Sequence, residues 1–221
     1  MLVSPLSEHR FYRLLKVGLI SLLTIYSVAL LYAELKFSQD YVRNYFTDIT
    51  GPVRFYAVNT TLTTFLLWAI ALIFYISMIC VDEVDSKKKT LIFYTSQIFL
   101  FLYLGLDERF GIHEGLGVIT GIEDGFIVLG FGLLEIGLLG CLGDLGKRPR
   151  RVKLYLYVAA ALFAIMVLID VFLPPRTILR LSIEDLSKTW AGVFLFMFAL
   201  EICYGHIFHL KESAQVRVDD G

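Results

Sequence analysis

The 221-residue chain contains no C-x-x-C, no zinc-finger spacing and no glycine-rich phosphate loop, so the usual signatures of structural zinc and nucleotide binding are missing. Neither sign of charge dominates. The 20 Lys and Arg face 21 Asp and Glu, for a formal net charge of −1. Without a basic field, nucleic acid is not an expected partner. The H-E-x-x-H of zinc proteases is absent, and no serine or cysteine is marked as a nucleophile, which weighs against a catalytic triad. The three cysteines, Cys80, Cys141 and Cys203, are read as buried apolar residues rather than as a disulfide framework.

What the chain has instead is apolar length. Hydrophobic residues make up 57% of it, with a mean hydropathy of +0.70, whereas a soluble domain averages about 45–50% apolar even with glycine counted. The excess lies in runs. A membrane span needs about 20 mostly apolar residues, and six stretches qualify, at about 14–34, 55–80, 90–114, 125–142, 154–174 and 187–209. The expected fold is all-α: a polytopic integral membrane bundle of about six helices, forming one membrane domain over 1–221 with no soluble domain. Arg10, Arg13 and Lys16 precede the first run as in a signal peptide. Its end, "LLYAEL", lacks the small residue a cleavage site needs, so it is kept as a span. "SIED" reads as a capping box, Ser182 with Asp185, opening the sixth helix.

Lys and Arg set the orientation. With the N-terminus inside, the inner segments collect Lys87, Lys88 and Lys89 and the run Lys147, Arg148, Arg150, Arg151, Lys153. Both termini are then cytoplasmic, in a plasma or inner membrane, and the cysteines lie toward the reducing side. Eleven acids map to the opposite rim, Glu34, Asp40, Asp48, Asp107, Glu108, Glu114, Glu123, Asp124, Asp170, Glu184 and Asp185, against seven cations there, Lys36, Arg43, Arg54, Arg109, Arg176, Arg180 and Lys188.

The stretch "LDERFGIHEGLG", residues 106–117, closes the third apolar run. On a helix continuous to 114, Asp107 and Glu114 would share a stripe with Gly111 between them, and Arg109 and His113 would pair at i, i+4. Glu108 would point between the two faces. One helix cannot bring these groups to a point, so partners from other spans are needed. Asp170 and the pair Glu184 and Lys188 at i, i+4 are available. Asp107, Glu108, Arg109, His113, Glu114, Glu184 and Lys188 therefore form the expected polar site, because Asp, Glu and His are costly at bilayer depth and are usually functional there. Asp107, His113 and Glu114 are the candidate ligands should a divalent cation bind; no other cofactor is indicated. Glu135 and Glu201, with Asp170, are intramembrane carboxylates. The first two lie roughly 15–20 Å down their helices and would extend the site inward past Gln97 and Asn59. Cys203, His206 and His209, spaced by three, are an alternative metal or haem position.

Three functions remain open. The leading one is proton- or cation-linked transport, or cation binding, at the acidic rim. The others are a membrane-surface hydrolase, metal-dependent or not, and a non-catalytic subunit or assembly factor. The bilayer is the expected partner, with a homo-oligomer or larger membrane complex as the setting. The charge map makes a direct prediction. In a cysteine-free background, a cysteine at 107 and one at 150 label from opposite sides of sealed vesicles, and labelling of both from one side would refute the orientation.

Overall fold

A computed structural model describes residues 5–43, 45, 57–81, 88–174 and 177–219. Several sequence expectations lie outside the described residues: Asp48, Arg54, Arg176, the stretch 82–87, and the side chain of His209. Among the described residues the chain is helical throughout, without strands. The order is α1 (Pro5–Lys36), α2 (Gln39–Arg43), α3 (Val58–Ile79), α4 (Lys88–Phe110), α5 (Ile112–Thr120), α6 (Asp124–Leu142), α7 (Arg150–Phe172) and α8 (Arg180–Asp219). Six are long and apolar enough to cross a membrane: α3, α4, α6, α7, and the segments Lys16–Lys36 of α1 and Arg180–Phe208 of α8.

The ends of these helices have local causes. α7 stops at Phe172, two residues before Pro174, which has no N–H to continue the ladder. α4 stops at Phe110 because Gly111 turns left-handed, with φ 58°, and Gly121 ends α5 in the same way at φ 72°. The third span is therefore not one helix to residue 114. It is α4, a left-handed glycine and then a separate nine-residue helix.

The sixth span also starts earlier than its sequence suggests, at Arg180. Ser182 is buried inside α8 and its hydroxyl donates to the Glu34 carboxylate of α1 instead of capping its own helix. Glu34 also accepts the Leu179 N–H at 2.9 Å. Leu179 has φ 63°, a left-handed conformation that costs a branched residue roughly 1–2 kcal/mol. The cap on α8 thus comes from another helix, and a capping box read along one chain segment cannot show that.

α8 is the central element. It packs most extensively on α7 and α3, and α3 packs in turn on α4. Their common core is aromatic. The Phe74 ring lies 6.0 Å from those of Phe93 and Phe101 and 6.3 Å from that of Phe198, all four buried. Polar links cross the same interfaces. The Thr189 hydroxyl donates to Asn59 Oδ1 at 2.9 Å, and the Trp190 indole N–H donates to Ser27 Oγ at 2.9 Å. Of the cysteines, Cys203 is buried and Cys80 half-buried, but Cys141 is exposed. Cys141 sits on the outer face of α6, a helix that buries only Gly125 and Leu139, so the sequence reading of three buried thiols holds for one.

α3 and α4 approach closely at Gly105, where an added Cβ would fall 2.2 Å from Trp68 Nε1. Gly105→Ala must displace the indole and is expected to cost about 1–3 kcal/mol. Gly140, with open space around it, is the control: Gly140→Ala should be neutral or gain up to about 1 kcal/mol. Thermal denaturation in detergent measures both, and equal effects would contradict the packing described.

Candidate functional site

The break at Gly111 builds the site. It swings His113, the second residue of α5, back over the last turn of α4. There the Asp107 carboxylate accepts the His113 backbone N–H at 2.7 Å through Oδ1 and faces the imidazole Nδ1 at 2.8 Å through Oδ2. Both oxygens of one buried carboxylate are therefore used by one residue. Asp107 also supplies negative charge to the N-terminus of α5, where the helix dipole favours it. Burial alone would lower the His113 pKa. The hydrogen bond to Asp107, with the charges of Asp107 and Glu114, outweighs burial and raises it above the ordinary 6.5.

Two further ion-pair groups complete the acidic end. Lys188 bridges Glu108 at 2.9 Å and Asp185 at 3.1 Å. Arg180 reaches both the carboxylate and the backbone carbonyl of Asp170 at 3.0 Å, with Glu184 at 3.6 Å. His113, Glu123 and Asp124 lie within electrostatic reach of Asp170. The α6 backbone approaches the same carboxylate, since a Cβ on Gly125 would stand 2.8 Å from Asp170 Oδ2. A cavity of about 380 Å³ opens beside it, lined by Glu123, Asp124, Asp170 and Arg180 among others.

The structure thus gathers Asp107, Glu108, His113, Asp170, Glu184 and Lys188 at one end of the bundle, on four different helices. It does so with different partners than the linear spacing implies. Glu184 pairs with Arg180 rather than Lys188, and His113 with Asp107 rather than Arg109. Arg109 and Glu114 are exposed; Glu114 stays within electrostatic reach of His113, but the turn at Gly111 removes the stripe that would have aligned it with Asp107. For the same reason Asp107, His113 and Glu114 do not assemble as ligands. Among the described residues no group of three or more His, Cys, Asp or Glu is placed to hold a metal ion. The expected site left out Arg180, and it took Glu34 only as a rim acid and Ser182 only as a helix cap. The i, i+4 spacing of Arg180 and Glu184 is the signal that could have found the arginine.

The deeper carboxylates separate. Glu135 accepts a hydrogen bond from Gln97 Nε2 at 2.8 Å. Gln97 lies ten residues before Asp107 on α4, about 15 Å along the axis. Gln97 Oε1 and Glu135 Oε1 are buried without a hydrogen-bond partner among the described residues. Glu201 is not a lone carboxylate in the interior. It is ion-paired with Lys16 and lies 3.7 Å from Arg151, at the basic end. His206 faces the Tyr94 hydroxyl at 2.5 Å.

Residues 14–202 match a family model described as Domain of unknown function (DUF8692). The chain belongs to that family. No curated protein and no solved structure matches it. The family's matched stretch takes in the whole acidic end and, at the other end, Lys16 and Glu201.

The Asp107–His113 pair predicts a pH-dependent stability. Because folding raises the histidine pKa, the pair's contribution is complete below about 6.5, the unfolded value, and disappears as pH climbs through the raised folded value. Asp107→Asn keeps an acceptor for the His113 N–H but removes the charge. It should cost about 1–3 kcal/mol at acidic pH and progressively less in alkaline buffer. Thermal melts of both proteins across pH test this, and a pH-independent difference would count against it.

Proposed function

We propose that this protein is a multi-pass integral membrane protein that takes up protons at the carboxylate cluster of its acidic end, with proton-linked transport as its activity. The membrane part of the reading is supported by the six long apolar helices. It is supported also by the apolar side chains the bundle leaves uncovered, such as Phe99, Ile136, Leu168 and Phe172, which suit a hydrocarbon surroundings. In this reading the chain is one membrane domain, the basic end faces the cytoplasm with both termini, and the acidic end faces outward.

The carrying observation is an imbalance. Among the described residues Glu34, Asp107, Glu108, Asp170, Glu184 and Asp185 meet at one end, six carboxylates against Arg180 and Lys188, which pair with four of them, and Arg109, the chain neighbour of Glu108. His113 adds a charge only when protonated. An ionised carboxylate withdrawn from water without a partner is costly, so the surplus draws in positive charge. With no metal-holding group among the described residues, the simplest carrier is a proton, and a small monovalent cation is the substitute. Glu135 with Gln97 is the next step inward. Its unpartnered oxygen can carry a proton, and the amide oxygen beside it has room to accept one in a hydrogen bond.

Proteoliposomes with a trapped pH indicator test the proposal. Vesicles holding the wild-type protein should dissipate an imposed proton gradient faster than empty vesicles, with and without Na⁺ or K⁺. Glu184→Gln and Asp170→Asn should slow this about tenfold or more, the equivalent of about 1.4 kcal/mol in barrier height. Glu135→Gln should abolish it. Wild-type vesicles that hold the gradient as long as empty ones in every salt would defeat the reading.

A further inference from the structure

The basic end contains a larger cavity that the proton reading does not use. It measures about 730 Å³, and Lys147, Arg148, Arg151, Tyr94 and His206 are among the residues lining it. That volume is typical of small-molecule sites, roughly 300–1,000 Å³. Two carboxylates also face it, Asp144 and Glu201. Each is bound by a lysine from outside the lining: Lys89 holds Asp144 at 2.8 Å, and Lys16 holds Glu201. Arg151 adds only a longer contact to Glu201, at 3.7 Å. Among the described residues the lining acids are thereby paired, and Lys147, Arg148 and Arg151 leave a surplus of positive charge in the lining.

Protein oxygens hold one of these cations in the lining. The Arg148 guanidinium donates through Nε to the Gly143 carbonyl at 3.4 Å and lies beside the Tyr94 hydroxyl. α7 begins at this cavity, with Arg151 and Val152 of its first turn in the lining, and no side chain caps its N-terminus. Uncapped N–H groups and the helix dipole add to the attraction for an anion. Arginine forks match phosphate oxygens in pairs, and basic pockets between membrane helices suit acidic lipid headgroups.

We propose that this cavity is a binding site for a phosphate-bearing anion, supplied as the headgroup of an anionic phospholipid or as a free phosphate compound. The site is independent of the acidic end and of any proton movement there.

Isothermal titration of the full-length chain in non-ionic detergent tests it with three probes: short-chain phosphatidylglycerol, inorganic phosphate and, as the zwitterionic control, short-chain phosphatidylcholine. An anionic probe should bind more tightly than phosphatidylcholine. The double variant Lys147→Gln with Arg148→Gln should weaken that binding about tenfold or more, while Arg148→Lys, which keeps the charge, loses less. Binding of phosphatidylglycerol alone identifies a lipid headgroup, and equal binding of phosphate identifies a soluble source; both uphold the site. Failure of both anions to bind, equal binding of phosphatidylcholine, or undiminished affinity in a double variant with the wild-type melting temperature would overturn it. Salt provides a measurement on the unaltered protein. Affinity must fall as sodium chloride is added, and salt-insensitive binding would also overturn the proposal.

Discussion

A carboxylate that leaves water has to meet a donor or a cation, and at the acidic end those meetings tie the helices together. Glu34 of α1 takes the Leu179 N–H and the Ser182 hydroxyl at the start of α8. Glu108 of α4 meets Lys188, and Asp170 of α7 meets Arg180. The other helices bring acceptors and α8 brings the donors. In the proposed membrane setting this arrangement matters more than it would in a water-soluble core. Between helices in lipid the hydrophobic effect contributes little to association, so close packing and polar contacts choose the partners. Glu34 holds the Leu179 N–H and so helps to offset the strain of its left-handed backbone.

The turn at Gly111 is the second determinant. A helix running straight on would have carried His113 and Glu114 beyond Asp107 along the axis. The left-handed glycine folds α5 back, and the histidine becomes the partner of the carboxylate that precedes it by six residues. Asp107 thereby does two jobs, completing the N-terminus of α5 and holding the imidazole. The dipole of α5 and the histidine charge act on the same carboxylate.

The two ends of the bundle are chemically opposite. At one end carboxylates exceed their cations. At the other, lysines from α1 and α4 neutralise Glu201 and Asp144 and leave Lys147, Arg148 and Arg151 facing a cavity. Charge is thus sorted along the bundle axis. The aromatic core around Phe74 lies between α3, α4 and α8 and accounts for their close packing.

Much of this was legible in the residues. Runs of apolar side chains placed all six long helices, because length and hydropathy are local properties that need no partner. The gathering of Asp107, Glu108, Asp170, Glu184 and Lys188 at one rim followed from the same alternation of spans. Pairing did not follow. That Glu184 takes Arg180, that Lys188 takes Glu108, that Glu34 caps α8 and that Lys16 claims Glu201 are distances between segments up to 185 residues apart. Helix periodicity carries no information about rotation or depth between helices, so the spacing of Arg109 and His113 suggested a pair that the glycine turn replaced. By itself the sequence determined which segments are helical and which rim is acidic, because both depend on local composition. Only the tertiary structure decided which charge meets which, because that depends on how the helices rotate and pack against one another.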